Sequence, residues 1–311
     1  MSFEDPPAYG MSITPFDQSG VIDEPALRRH LRFMADGGVG VFMGALNSGE
    51  GYLLDRDEVR RLYEIGVDEL KGTAPVYAAC LEHASTAVII ELAKESAVIG
   101  LDGAQVYPPA PADPSAVITA AEVERFFRDI FEAVTTPVFL CNYLHGALSV
   151  DRPGGKIPVE LIARLVEDYD HIVGVNAGGD LAYLGAVVEA VGKRTPVRTP
   201  GGAQLLDNLK LGGYGFISTE PNIAPRLSSL VIEAHRAGDE ARAAELFAKL
   251  EKLRLMIMEH LYPRSLKPAL NHLGFSVGVP RRPFLPLAAD ARREIGRVLD
   301  DLDIKAIEGL S

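Results

Sequence analysis

A few short clusters in this chain carry side chains that could do chemistry. Asn47-Ser48-Gly49-Glu50 sets small residues in a run where backbone N–H groups can converge on an anion, with the Ser48 hydroxyl as a further donor. A carboxylate suits such a concavity; a tight connecting turn is the plainer alternative. Cys141, in Phe139-Leu140-Cys141-Asn142, is a nucleophile if a nearby cation or helix end lowers its pKa, and a small apolar residue otherwise. His145 is a candidate general acid or base. Lys156 could contact an anion or supply an amine, although both residues also suit a solvated loop. Asn176 closes the run Ile172-Val173-Gly174-Val175. Its amide nitrogen is delocalised and cannot form an imine, yet the amide can polarise a carbonyl or orient water. The alternative is a polar residue hydrogen-bonded to its neighbours. Glu50, Glu82, His83 and His145 match no compact ligand spacing, so neither a metal nor a cofactor is expected.

These residues need elements to position them. Short β-rich runs alternate with amphipathic helical runs, the pattern of βα units and a parallel sheet. The expected strands are Gly10–Pro15, Gly40–Gly44, Pro75–Cys80, Gly103–Tyr107, Pro137–Asn142, Ile172–Asn176, Thr195–Thr199 and Gly215–Thr219. The expected helices between them are Glu24–Asp36, Asp57–Leu70, Thr86–Ser96, Ala121–Val134, Val159–Asp168, Leu181–Val191, Ala203–Leu211 and Pro225–Ala237. Strand and helix pairs in this number predict a TIM (β/α)8 barrel over residues 1–238. A doubly wound sheet would need a reversal of strand order that nothing marks. Beyond Gly238 the β signal stops. Glu240–Leu261, Ser265–Leu273 and Ala288–Leu302 predict a C-terminal three-helix appendage, residues 239–311, packed on the barrel.

Side chains alternate along a strand, so Ile172, Gly174 and Asn176 share one face. The glycine suits a crowded barrel interior, which directs Asn176 inward at the strand's C-terminal end. The 311 residues are 47% hydrophobic and 24% charged, enough to bury a substantial core. A net charge of -12 argues against nucleic acid as a partner. The acidic, proline-containing start lacks signal-peptide character, and no run of about 18 apolar residues predicts a membrane span. Cys80 and Cys141 are too few for a disulfide framework. A cytoplasmic protein without membrane partners is expected.

Several motifs, taken in order, resemble the dihydrodipicolinate synthase / N-acetylneuraminate lyase family. Ile13-Thr14-Pro15-Phe16 is similar to its strand-one T-P-F signature, and Asn47-Ser48-Gly49-Glu50 to its T-T-G-E or S-T-G-E. Gly215-Phe216-Ile217-Ser218 with Asn222 and Pro225 is similar to G-v-I-S-x-x-x-N-x-x-P, and Arg264–Leu270 resembles the start of its C-terminal helical region. The resemblance implies a barrel that grips a 2-oxo acid such as pyruvate through Asn47, Ser48, Gly49, Asn142 and Ile217. It also implies a homo-oligomer, tetramer or dimer. The chain departs from the family where imine chemistry resides. Asn176 stands at the Schiff-base lysine, Cys141 at the proton-relaying tyrosine, Ala110 near a second tyrosine, and Asn47 at the first threonine. The expectation is therefore a lyase- or aldolase-like enzyme, breaking carbon–carbon or carbon–oxygen bonds without a lysine Schiff base. Asn176, Cys141 and His145 are its candidate catalytic residues. The alternative is a non-catalytic 2-oxo-acid-binding homologue, a sensor or partner subunit.

Overall fold

A computed structural model describes residues 5–79, 85–109, 117–142, 149–152 and 154–310. Its strands are β1 (Ala8–Met11), β2 (Gly40–Met43), β3 (Val76–Ala78), β4 (Gly103–Val106), β5 (Val117–Ile118), β6 (Val138–Cys141), β7 (Ser149–Val150), β8 (Ile172–Asn176), β9 (Val197–Pro200) and β10 (Gly215–Ser218). Eight of them close into a barrel in the order β1-β10-β9-β8-β6-β4-β3-β2, while β5 and β7 form a separate two-stranded sheet. The barrel expected from the sequence is thus the fold. The β5–β7 pair is an addition, parallel and in register Val117↔Ser149, within a stretch the sequence suggested was loop.

The helices are α1 (Glu24–Asp36), α2 (Arg56–Leu70), α3 (Thr86–Ile99), α4 (Ala120–Ala133), α5 (Val159–Asp168), α6 (Leu181–Val191), α7 (Leu205–Lys210) and α8 (Pro225–Arg236). After them come α9 (Glu240–His260), α10 (Leu266–His272), α11 (Ala289–Asp301) and a short α12 (Ile304–Ile307), the last not foreseen. Local sequence explains where the helices start. Asp55 and Glu58 form a reciprocal capping box on α2, and Thr119 with Glu122 does the same on α4. Helix α4 buries Val123, Phe126, Phe127, Ile130 and Phe131, a single stripe at three- and four-residue spacing. Each such phenylalanine contributes roughly 2–3 kcal/mol by leaving water.

Two elements differ from the sequence expectation. β1 ends at Met11, because the Ile13 N–H donates to the Asn222 side chain (3.0 Å) and leaves the ladder. The run expected as one helix over Ala203–Leu211 divides into a 3-10 turn, Gly202–Gln204, followed by α7. Gly201 there has φ 93°, a conformation open to glycine.

The chain forms two compact units. The first comprises residues up to Val76, Gly201–Leu206 and the chain from Ile217 onward; the second comprises Tyr77–Pro200 and Asp207–Phe216. In the first, α9 packs on α8 and α10 on α11. Glu308, just beyond α12, accepts from the Arg226 and Leu227 N–H groups at the start of α8 (2.9 and 3.0 Å). In the second unit, Phe139 packs edge-on against Tyr77 (centroids 4.9 Å) and fills the space beside Gly174. A Cβ on Gly174 would lie 2.4 Å from the Phe139 ring, so glycine is required there.

Candidate active site

In the first unit the loop after β2 turns sharply. The Glu50 N–H donates to the Asn47 carbonyl (3.3 Å) and the Gly51 N–H to the Ala45 carbonyl (3.0 Å). Gly49 sits so close to the backbone that a Cβ would lie 2.8 Å from both the Ala45 and Ser12 carbonyl oxygens. The Thr14 hydroxyl donates to the Gly49 carbonyl (2.7 Å) and fixes that peptide plane. Among the described residues, the Ser48 and Gly49 N–H groups and the Ser48 hydroxyl have no hydrogen-bond partner. Unsatisfied donors on a nearly buried turn are what an anion-binding concavity requires.

The sequence did not show what holds this loop. Glu50 adopts the left-handed conformation (φ 54°), unusual for a residue with a side chain. Its carboxylate pairs with the Lys267 ammonium at 2.5 Å, and both side chains are fully buried. The Arg281 N–H also donates to Glu50 (2.6 Å), and Lys267 Nζ donates to the Val279 carbonyl (3.1 Å). The Lys267 ammonium and the Arg281 guanidinium each lie 4.3 Å from the Phe16 ring centroid. Burial pushes the Glu50 carboxyl up and the Lys267 amine down to about 8, while each charge draws the other back.

Further along this unit, Ile217 is buried on β10, and the Ser218 hydroxyl donates to the buried Glu220 carboxylate. Glu220 also accepts from the Gly202 N–H (3.1 Å). A lone acidic residue just past a barrel strand was the available sequence signal for it. Asn222 is a staple: it donates to the Met11 and Thr219 carbonyls (2.8 and 3.0 Å) and contacts His30 Nε2 (3.0 Å). Burial lowers His30 to about 4, so its ring is neutral.

In the second unit, β6, β8 and β9 align Cys141 with Asn176 and Asn176 with Arg198. Aligned positions on parallel neighbours point to the same side, so the three form one polar row. Cys141 is buried and forms no disulfide among the described residues. Asn176 is 2% exposed, and its Oδ1 has no hydrogen-bond partner among the described residues. An unsatisfied buried amide oxygen costs about 1–3 kcal/mol. Arg198 is fully buried, with its guanidinium 5.3 Å from the Phe139 ring and 4.7 Å from the Tyr214 ring. Sequence reasoning passed over this arginine. Its signal was a charge inside a strand of a parallel barrel, where both faces are covered.

Asn142 serves the backbone. Its Oδ1 accepts from the Gly178 N–H (2.7 Å), and its Nδ2 donates to the Tyr183 hydroxyl (3.1 Å). That hydroxyl donates onward to the Ile157 carbonyl (2.6 Å), and burial pushes Tyr183 up to about 12. Lys156 pairs with Asp180 and lies over the Tyr183 ring at 5.0 Å, with both charged groups well exposed. His145 lies outside the described residues, as do Cys80, Glu82, His83 and Ala110.

Comparisons with known proteins bear on the whole chain. A family model described as the dihydrodipicolinate synthetase family matches residues 8–302. A 4-hydroxy-tetrahydrodipicolinate synthase from Methanopyrus kandleri is 32% identical over 295 residues, covering 94% of this chain and 94% of the relative. The structure of the 4-hydroxy-tetrahydrodipicolinate synthase from Methylacidiphilum fumariolicum superposes with a TM-score of 0.84 at 27% identity, covering 99% of each chain. A dihydrodipicolinate synthase from Bacillus anthracis gives a TM-score of 0.85 at 25% identity, covering 96% of this chain and 99% of that one. No helix among the described residues is long and apolar enough to cross a membrane. By the extent of the model match and the identity to its curated relatives, this chain belongs to the dihydrodipicolinate synthetase family.

Proposed function

We propose that this protein is a lyase- or aldolase-like enzyme that acts on a small 2-oxo acid, or a related carboxylated carbonyl compound, without a lysine Schiff base. The observation that carries the reading is the row Cys141–Asn176–Arg198. β8 ends on a buried amide, and the neighbouring strand supplies a buried guanidinium at the aligned position. An imine draws electrons from the carbon being deprotonated. A fixed positive charge and an amide donor can stabilise the same developing enolate electrostatically, and in a buried site that interaction is strong. In the first unit, the unsatisfied Ser48 and Gly49 donors form a concavity suited to a carboxylate. The curated relatives are named as 4-hydroxy-tetrahydrodipicolinate synthases, which supports the lyase class. The same reading has the protein acting in the cytoplasm as a homo-oligomer, with Cys141 and His145 as further candidate catalytic groups.

Enolisation can be tested without knowing the second substrate. Proton NMR of pyruvate in D2O should show methyl exchange above the uncatalysed rate, reduced at least tenfold in Asn176→Ala and in Arg198→Met, with circular dichroism confirming folding. Borohydride treatment with pyruvate present should leave no lysine adduct by mass spectrometry. A trapped lysine would overturn the proposal. Saturable pyruvate binding with no exchange would instead establish the non-catalytic homologue.

A further inference from the structure

Helices α10 and α11 flank a cleft of about 880 Å³, within the usual range for small-molecule sites. Each helix presents a single face to it. From α11 come Ala289, Arg292, Arg293, Gly296, Arg297 and Asp300, at three- and four-residue spacing. Opposite stand Arg264, Pro268 and His272, with Pro280 and Leu287 closing the walls. The helices approach closely where a Cβ on Gly296 would lie 2.8 Å from the His272 ring.

The charge of this cleft is out of keeping with the chain, whose net charge is -12. Elsewhere Arg28, Arg61, Arg128, Arg254 and Arg281 all carry carboxylate partners. Among the described residues, Arg264, Arg292 and Arg293 make no ion pair. The two aspartates on the lining do not neutralise them. Asp300 pairs with His272 (2.8 Å), and Asp290 accepts from the Ala291 N–H (2.9 Å). Arg264 stacks on Phe284 at 5.3 Å, and its buried Nε has no hydrogen-bond partner. Unneutralised arginines converging on a cavity with proline and leucine walls match a ligand with an anionic head and an apolar body.

We propose that the α10–α11 cleft binds a small organic anion, with a carboxylate or phosphate head held by Arg264, Arg292 and Arg293. The site is separate from the Ser48–Gly49 turn and does not depend on the function proposed above. Its wall nevertheless includes Val279 and Pro280, and the Val279 carbonyl accepts from Lys267, the partner of Glu50.

Calorimetric titration of the full chain with phenyl phosphate, benzoate and inorganic phosphate tests the proposal. At least one aromatic anion should bind at one site per chain, at least tenfold more tightly than inorganic phosphate. The tighter of the two identifies the head group. Affinity should fall at least tenfold in Arg292→Gln/Arg293→Gln, whose side chains are exposed and whose loss leaves the fold intact, and also in Arg264→Gln. It should persist in Ser48→Ala. Equal affinity in the arginine variants, loss of binding in Ser48→Ala, or no binding of either aromatic anion would overturn it.

Discussion

Replacing Lys267 by methionine isolates the contact that holds the loop after β2. The ammonium and the Glu50 carboxylate are 2.5 Å apart with both side chains fully buried. Lys267→Met leaves a buried carboxylate whose remaining polar contact in this pair is the Arg281 N–H. Removing one partner of a buried pair costs about 3–5 kcal/mol, chiefly because the surviving charge is uncompensated. At about 2.1 cal/mol/K per residue, a chain of 311 residues has an unfolding entropy near 0.65 kcal/mol/K, so Tm should fall by roughly 5–8 °C. The loss should depend on pH. Burial already raises the Glu50 pKa, and without the ammonium nothing of comparable charge opposes it. A raised native pKa gives stability that is present below the unfolded value and fades as pH rises through the native one. The deficit should therefore be larger at pH 8 than at pH 5. Glu50→Gln/Lys267→Met buries no charge and should melt above Lys267→Met at pH 8. Scanning calorimetry of the variants at both pH values decides it. A single variant melting within about 1 °C of the parent, or a double variant less stable than the single one, would refute the argument.

Gly49→Ala should lower stability by about 1–3 kcal/mol and weaken pyruvate binding, since its Cβ would meet two backbone carbonyl oxygens at 2.8 Å. Unchanged affinity in calorimetry would remove the turn from the binding site. Glu308→Gln should flatten the pH dependence of Tm between pH 5 and 8. Burial raises this carboxyl from 4.5 to about 7, so its contribution is full below pH 4.5 and fades as pH rises toward 7. The change is at most about 3 kcal/mol, and less for a partly exposed side chain. A variant with the parent's pH profile would contradict this assignment.

Much of the fold was legible because its signals are local. The alternation of β-rich and amphipathic runs marked all eight barrel strands, although β1 lies earlier than its apolar pattern suggested. That boundary depends on Asn222, which lies 209 positions from Ile13 and takes its N–H. No window of sequence contains that competition. The β5–β7 pairing was hidden for a related reason, since two-residue strands carry no period to read.

Sequence by itself determined that β8 ends in an amide and that a small-residue turn follows β2. Residue type and strand alternation suffice for both. Tertiary structure decided what surrounds them. Strand register set Arg198 beside Asn176, and the C-terminal helices brought Lys267 to Glu50. Arg198 is 22 positions from Asn176 and Lys267 is 217 positions from Glu50 in the chain. Periodicity reports which face a side chain takes; it does not report which distant charge faces it.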